Sequence, residues 1–321
     1  MSAAVVVHWD EVPRHRVELE PLAATWTDLG TAAGSRGVGV KRIELGPGER
    51  PTPAHTHGAE EEIFFVLAGS GLSWQAGRTM TGELAEPATH AIGPGDCLVH
   101  LPAGPAHTLV AGPDGLDVLA FGTRVRVEVG VLPRAGVAWL FPTWVEAGAG
   151  GHPWLREAAA GDLPLPEPSQ RPQTIVALED PRVPRVEVRR RTVAAVGLRL
   201  GVAAGSQAAG LNHVTIDPGM VAVPLHCHSA EEELFVVLDG EGVAIVGEEE
   251  HPVRRGSVLA RPPGSGIPHM LRAGATPLVY LAYGTREPND IAYYPRSGNV
   301  YLRGVGVVGR LQPVDYWDGE D

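Results

Sequence analysis

The sequence lacks most features that mark secreted or membrane-embedded proteins. Its 321 residues include only two cysteines, Cys97 and Cys227, which are too few for a disulfide framework. No run of about 18 uninterrupted apolar residues is present, so no membrane span is expected. The start, MSAAVVVHWDEVPRHR, lacks the basic first segment and long apolar core of a secretory signal. These absences predict a cytoplasmic protein with reduced thiols.

Positive charge is also scarce. The chain has 26 Lys and Arg residues against 38 Asp and Glu residues, and its formal net charge is −12. Nucleic-acid binding would therefore need a local basic patch, and the longest basic run, residues 189–191, is better explained as a solvated strand face. We expect a small-molecule substrate and neither a nucleic acid nor a membrane as partner. A homo-oligomer is compatible with the sequence.

Glycine and proline, in contrast, are abundant. The 41 glycines and 29 prolines are spread along the chain and separate many short segments rich in β-branched residues. Short strands separated by such turn residues are typical of an all-β sandwich or barrel. Helical periodicity is almost absent, apart from a short helix expected near Trp154–Ala160.

The chain contains the same unit twice. HTHGAEEEIFFVLAGSG (55–71) and HCHSAEEELFVVLDGEG (226–242) are identical at 11 of 17 positions, at an offset of 171 residues. LAFGTR (119–124) recurs as LAYGTR (281–286), at an offset of 162. Between these motifs the first copy therefore has nine extra residues, in a loop or hairpin tip. Duplication on this scale implies two domains of one fold.

The Gly, Ala and Pro-rich stretch between the copies marks the boundary. We expect an N-terminal barrel over residues 1–150, a linker with a short helix over 151–174, and a C-terminal barrel over 175–321.

Histidine and glutamate recur at the start of one strand in each copy. In a strand, residues two apart share a face, so His55 and His57 point the same way, and a turn at Gly58 allows Glu62 to face them. A Pro/Gly corner in PAGPAH can return His107 to the same cavity. Three imidazoles and one carboxylate suit Mn, Fe, Co, Ni, Cu or Zn. The second copy repeats the set as His226, His228, Glu233 and His269.

One such set alone would usually be a solvated charge run beside surface histidines. Two complete sets in register with a duplicated core favour metal binding instead, with two divalent transition metal ions per chain. The histidines without a counterpart in the other copy are expected to be structural or exposed: His90, His100, His152, His213 and His251. Cys97 is expected in the core, and alternation points Cys227 away from the metal.

With these motifs the sequence resembles the cupin superfamily, as a bicupin. Each copy has a Gly, then H-x-H, a Glu five positions on, and a Gly closing the strand; later come G-D and P-x-G-x-x-H in the first copy, and the equivalent G-S and PPGSGIPH in the second. The resemblance covers roughly residues 38–145 and 196–321. It implies two antiparallel jelly-roll barrels in tandem, related by a pseudo-two-fold axis, with the eight residues above as metal ligands. One extra residue before His269 departs from the pattern and puts the pocket shape in doubt.

The resemblance implies several functions. Three-His, one-Glu sites resemble those of quercetinase-type dioxygenases, which makes a metal-dependent, dioxygenase-like oxidoreductase the leading hypothesis. Glu62 and Glu233 would then be ligands that could also act as catalytic bases. One alternative is an isomerase or epimerase acting on a sugar or sugar phosphate. A second is a non-catalytic, metal-binding sensor of a small molecule. The retention of all eight ligands favours an enzyme.

Overall fold

The structure, a computed structural model, describes residues 6–79, 84–140, 143–146 and 153–320. Its three α-helices are short: α1 (Leu29–Ala32), α2 (Pro153–Ala159) and α3 (Leu200–Ala203). A 3-10 turn spans Arg303–Val305. None of the helices in these ranges is long and apolar enough to cross a membrane. Helix α2 is the short helix expected in the linker, and part of the nine-residue insertion, residues 80–83, lies outside the described residues.

The remaining regular structure is β-strand. The strands before the linker are β1 (Val6–His8), β2 (Arg14–Leu19), β3 (Leu22–Asp28), β4 (Val38–Leu45), β5 (Thr56–His57), β6 (Glu62–Ala76), β7 (Ala88–Ile92), β8 (Asp96–His100), β9 (Ala106–Thr123), β10 (Val129–Leu132), β11 (Val137–Leu140) and β12 (Thr143–Glu146). The strands after it are β13 (Ile175–Ala177), β14 (Arg185–Arg189), β15 (Ala194–Leu198), β16 (Ala209–Ile216), β17 (Cys227–His228), β18 (Glu233–Asp239), β19 (Glu241–Val246), β20 (Glu249–Arg254), β21 (Ser257–Arg261), β22 (His269–Ala273), β23 (Leu278–Thr285), β24 (Ile291–Tyr294), β25 (Asn299–Leu302) and β26 (Val307–Arg310).

Each copy folds into antiparallel sheets that face each other. In the first copy, the sheet β13-β8-β6-β9-β4-β3-β2 faces the smaller sheet β12-β11-β10-β5. In the second copy, the corresponding sheets are β1-β21-β18-β23-β16-β15-β14 and β17-β24-β25-β26, with β20-β19-β22 completing the barrel. The prediction of an all-β protein with two jelly-roll barrels in tandem is confirmed.

A glycine with a left-handed backbone conformation lies within β6 of the first barrel and between β18 and β19 of the second. Gly69 and Gly240 have positive φ angles of 82° and 78°. A Cβ atom on Gly69 would lie 2.2 Å from the carbonyl oxygen of Gly115, and one on Gly240 would lie 2.0 Å from that of Pro277. Only glycine tolerates both the conformation and the close approach. Both positions belong to the repeated motif, so this backbone conformation is encoded twice.

The two barrels exchange their first strands. Strand β1 pairs with β21 of the second barrel, in the register Val6 to Leu259. Strand β13 pairs with β8 of the first barrel, in the register Ile175 to Leu98. Each barrel therefore completes one sheet edge of the other, which covers backbone groups that would otherwise be unpaired.

The barrels also share a core. A buried apolar cluster contains side chains of both copies, and the rings of Phe121 and Tyr283 lie 5.0 Å apart across the interface. The middle glutamate of each AEEE motif crosses the same interface. Glu61 is fully buried and accepts hydrogen bonds from the backbone of Gln207 at 2.7 Å and Ala208 at 3.1 Å. Glu232, the counterpart of Glu61, accepts one from the backbone N–H of Arg36 at 2.7 Å.

The linker packs against the first barrel. On α2, the fully buried carboxylate of Glu157 lies 3.1 Å from the guanidinium of Arg134 and 3.4 Å from that of Arg50. Further along, the indole of Trp74 donates a hydrogen bond to the carbonyl of Pro164 at 2.8 Å. These contacts make the linker part of the first barrel's wall.

Candidate metal centres

The first centre forms where β5, β6 and β9 meet. His57 ends β5, with His55 just before that strand, while Glu62 begins β6 and His107 is the second residue of β9. The Oε2 atom of Glu62 lies 3.0 Å from Nε2 of His107 and 3.8 Å from Nε2 of both His55 and His57. The four ligand atoms lie within 4.8 Å of one another. All four residues singled out in the first copy therefore come together.

The second centre repeats this arrangement. The Oε2 atom of Glu233 lies 2.7 Å from Nε2 of His269, 3.3 Å from Nε2 of His228 and 3.7 Å from Nε2 of His226. The ligand atoms of His226, His228 and Glu233 lie within 4.8 Å of one another. His269 joins them through its short contact with Glu233, so the extra residue before it has not moved it out of the site.

Backbone pairing brings the two distant motifs together. The N–H of His55 donates to the carbonyl of His107 at 3.1 Å, and the N–H of His107 donates back at 2.8 Å. His226 and His269 form the same reciprocal pair, at 3.1 and 2.7 Å. Both pairs are isolated antiparallel bridges outside the main ladders. The pairing explains why a histidine about 40 to 50 residues downstream reaches the H-x-H motif, as cross-strand neighbours do.

The other ring nitrogen of several histidines is held by a carbonyl group. Nδ1 of His55 lies 2.9 Å from the carbonyl oxygen of Pro53, and Nδ1 of His226 lies 2.8 Å from that of Pro224. An Nδ1–H that donates to a carbonyl leaves Nε2 as the lone-pair nitrogen. Both rings therefore present a metal-binding nitrogen to the centre.

A carboxylate lies beside Nδ1 of each remaining H-x-H histidine. Asp290 Oδ2 lies 2.7 Å from Nδ1 of His228, and Glu128 Oε1 lies 3.4 Å from Nδ1 of His57. Such outer partners orient metal-binding imidazoles and raise their basicity. Neither Asp290 nor Glu128 was predicted from the sequence. The signal was present, because Glu128 and Asp290 are related by the same offset of 162 residues that relates the LAFGTR and LAYGTR motifs.

The pKa shifts show how tightly the groups are coupled. Burial opposes ionisation of Glu233, yet the nearby imidazole of His228 and a hydrogen bond from His269 hold its pKa well below the usual range. Burial also opposes protonation of His228, but Glu233 and Asp290 raise its pKa to about 9. Burial dominates at His226 and lowers its pKa to about 4. A cationic partner is thus favoured beside Glu233.

The residues of both centres fit a divalent transition metal. Metal–nitrogen and metal–oxygen bonds of about 2.0 to 2.2 Å place neighbouring ligand atoms about 3 to 3.5 Å apart. The contacts to Glu62 and Glu233, from 2.7 to 3.8 Å, span that range. In addition, Nε2 of His228 is buried and has no hydrogen-bond partner in the described part of the chain. The chain therefore has two groups that can hold such an ion, and three imidazoles with one carboxylate do not select a single metal.

The imidazole of His100 also lies beside the first centre, although it was not predicted to belong to the site. The ring of His100 stacks on that of the candidate ligand His107, with centroids 3.7 Å apart and an interplanar angle of 8°. It is buried, as expected for a structural histidine, and its Nε2 has no hydrogen-bond partner among the described residues. Arg261 occupies the equivalent position of the second barrel and is also buried. Of the other unmatched histidines, His90 is buried, His213 and His251 are partly buried, and His152 lies outside the described residues.

The second centre opens into a cavity of about 240 Å³. His226, Glu233 and His269 line one end of it, and Phe235 and Tyr280 are among its largely apolar walls. Cys97 is buried in the core, as expected, and burial raises the pKa of its thiol. Cys227 is only partly buried and is not among the ligand groups found in the described residues.

Comparison with known proteins agrees with this architecture. Residues 212–283 match the family described as Cupin domain. A structure of a Bacillus subtilis oxalate decarboxylase mutant superimposes with a TM-score of 0.58 at 14% identity, over 91% of this chain and 80% of that one. The fold of this chain consists of two such barrels, one for each copy of the repeated unit. The chain is a bicupin by fold.

Two further structures show the same likeness. The formate complex of Lactobacillus farciminis oxalate decarboxylase superimposes on the bicupin with a TM-score of 0.59 at 15% identity, over 89% of this chain and 87% of that one. A Bacillus subtilis oxalate decarboxylase studied for its Mn(II) centres gives a TM-score of 0.57 at 14% identity, over 91% and 80%. At these identities the likeness concerns the fold. No curated protein matches the bicupin significantly.

Proposed function

We propose that this bicupin is a metal-dependent enzyme acting on a small organic molecule, and that substrate binds at the second centre. The observation that carries the proposal is the placement of His226, Glu233 and His269 at one end of a cavity of about 240 Å³. A ligand set that served only to stabilise the barrel would not need such a space beside it. Small-molecule sites are typically concave and mostly apolar, with a few converging polar groups.

Each group at this centre has a distinct task. His226, His228, Glu233 and His269 would hold the ion, which when bound supplies Lewis-acid polarisation of a substrate oxygen. Asp290 keeps the proton of His228 on Nδ1, away from the centre. Phe235 and Tyr280 exclude water from the cavity and position the apolar part of the substrate.

An oxygen-consuming oxidation is the leading reaction class, because three histidines and one glutamate resemble the ligand set of quercetinase-type dioxygenases. A redox-neutral cleavage is the second candidate. It is favoured by the fold shared with structures named as oxalate decarboxylases. The isomerase and sensor alternatives remain without a supporting contact in the described residues.

Metal analysis followed by gas exchange tests the proposal. Protein purified without chelator and reconstituted with Mn, Fe, Co, Ni, Cu or Zn is assayed for oxygen uptake with enols and diols, and for CO₂ release from oxalate. We expect turnover that requires metal and is lost in His228→Ala. Oxygen uptake that matches product formation supports oxidation, and undiminished turnover under strict anaerobiosis supports the redox-neutral reaction. Absence of metal-dependent turnover on all substrates would contradict the enzyme proposal.

A further inference from the structure

A second, polar cavity adjoins the second centre. It has a volume of about 360 Å³ and shares Asn212, Glu233 and Ala282 with the apolar cavity described above. The two cavities therefore meet at the candidate metal ligand Glu233. The polar cavity is also lined by the arginines Arg199, Arg286 and Arg303, which we call the arginine wall.

The arginine wall is only partly neutralised by the protein. Arg303 forms an ion pair with Glu231, but its buried Nε has no hydrogen-bond partner in the described ranges. Arg286 donates through Nη1 to the carbonyl of Ser206 at 2.6 Å, which offers no full negative charge. Arg199 precedes α3, and its side chain has no hydrogen-bond or ion-pair partner among the residues that the structure describes.

The electrostatics of the wall favour a bound anion. Burial lowers the pKa of Arg286; the carboxylates of Glu61 and Glu231 raise it, and the guanidinium groups of Arg303 and Arg199 lower it. Like charges held together in this way are stabilised when an anion lies between them. Guanidinium groups also bind carboxylate and phosphate oxygens in a bidentate geometry.

The first copy provides an internal comparison, because the charge at one position is inverted. Asp28 precedes α1 where Arg199 precedes α3, and Arg124 stands where Arg286 does. In the first copy Asp28 lies 3.8 Å from Arg124 and so neutralises it. Lys41 takes the position of Asn212 there, and its ammonium group is directed over the ring of Trp26, at 5.7 Å. A wall of three arginines is thus a feature of the second copy and not of the repeated fold.

We propose that the arginine wall binds the anionic group of an organic molecule whose apolar part occupies the adjoining cavity. The ligand is a carboxylate or phosphate ester with an apolar chain or ring, and it passes the centre at Glu233. Calling this ligand the substrate rests on the proposed function; the binding itself does not.

Calorimetric titration of the metal-loaded full chain with matched probes tests this inference. Hexanoate and hexyl phosphate carry the two kinds of anionic group, and hexanamide is the neutral match. We expect at least one anion to bind about tenfold or more tightly than the amide, because charge-assisted hydrogen bonds are about twice as strong as neutral ones. The ratio between the two anions distinguishes a carboxylate site from a phosphate site.

Substitution at position 199 locates the binding. Arg199→Asp installs the residue of the first copy, and since this side chain is exposed and unpaired among the described residues, the fold should be retained. We expect about a tenfold or greater loss of anion affinity. The matched control is Arg126→Asp, an exposed residue of the first copy with the same change of charge, which should bind as the parent does.

Three results would overturn the inference: no binding of either anion, equal binding of hexanamide, or undiminished anion binding by Arg199→Asp. Repeating the titration with His228→Ala separates this inference from the proposed function. That variant should lose turnover but keep the dependence of anion binding on Arg199. An enzyme that fails every activity assay yet binds hexanoate through Arg199 would contradict only the proposed function.

Discussion

Asp290 accepts a hydrogen bond from Nδ1 of His228 at 2.7 Å, which holds the Nδ1 proton and directs Nε2 towards the second centre. The same carboxylate accepts hydrogen bonds from the backbone N–H groups of Ala230, at 2.9 Å, and Glu231, at 3.1 Å. Asp290 is therefore held by the turn that follows the H-x-H motif. The turn after the motif, the carboxylate of Asp290 and the candidate ligand His228 therefore form one hydrogen-bonded unit.

Asp290→Asn tests this unit. The amide keeps the shape and an oxygen for the backbone contacts, but it cannot stabilise the imidazole with a negative charge. We expect metal affinity at the second centre to fall about 10-fold to 100-fold. Chelator competition, monitored by released metal, measures this loss. Glu128→Gln is the matched variant and should weaken the first centre only; unchanged affinity in both variants would contradict the assignment.

The two centres should bind metal independently. Their ligands belong to different barrels, so His57→Ala should remove one ion per chain and His228→Ala the other, each leaving about half of the reconstituted metal. At a free metal concentration of about 1,000 times the Kd, each ion should add about 4 kcal/mol to the free energy of unfolding. Elemental analysis with urea unfolding checks both expectations. Loss of both ions in one variant would contradict the two-site prediction.

The sequence predicted the barrels, and it singled out the candidate ligand residues, because both depend on local patterns. Strand alternation and the repeat were sufficient to bring His55, His57 and Glu62 together. Strand exchange was not predicted, although VVHWDEVPR and IVALEDPRVPR precede equivalent parts of the two copies. Which sheet edge a short strand joins depends on the packing of the whole molecule, and no local pattern encodes it. For the same reason, the partners of Glu61 across the interface were not predicted.

Glu232 should contribute substantially to the attachment of the two barrels. Its side chain is buried and accepts hydrogen bonds from the backbone N–H groups of Arg36 and Gly37 in the other copy. Glu232→Ala leaves these groups without partners, and we expect a loss of about 1.5 to 3 kcal/mol in the free energy of unfolding. Urea unfolding measures it. Glu61→Ala should behave alike, whereas the exposed Glu287→Ala should change the value by less than about 0.5 kcal/mol.

If Glu287→Ala lost as much unfolding free energy as Glu232→Ala, the loss would reflect a general effect of charge removal. It would contradict a specific role for the interface contacts.

His213 should make stability depend on pH without any involvement of metal. Its ring lies at the interface of the barrels, with its centroid 6.5 Å from that of Phe65. Burial lowers its pKa below 6.5, so the unfolded chain binds a proton at a pH where the folded protein does not. Stability from the neutral ring is therefore fully present above about pH 6.5 and is lost as pH falls towards the lowered pKa of the folded state.

His213→Gln removes this titration and keeps a neutral polar side chain of similar length. Each unit of pKa difference corresponds to about 1.4 kcal/mol, and the variant should lose less stability than the parent when pH is lowered from about 7.5 to about 5.5. Urea unfolding at both pH values, with a chelator present throughout, gives the comparison. The other histidines titrate in both proteins, so the difference between the two pH dependences isolates position 213. Equal pH dependences would show that His213 is solvated in the folded protein and that its burial does not control its protonation.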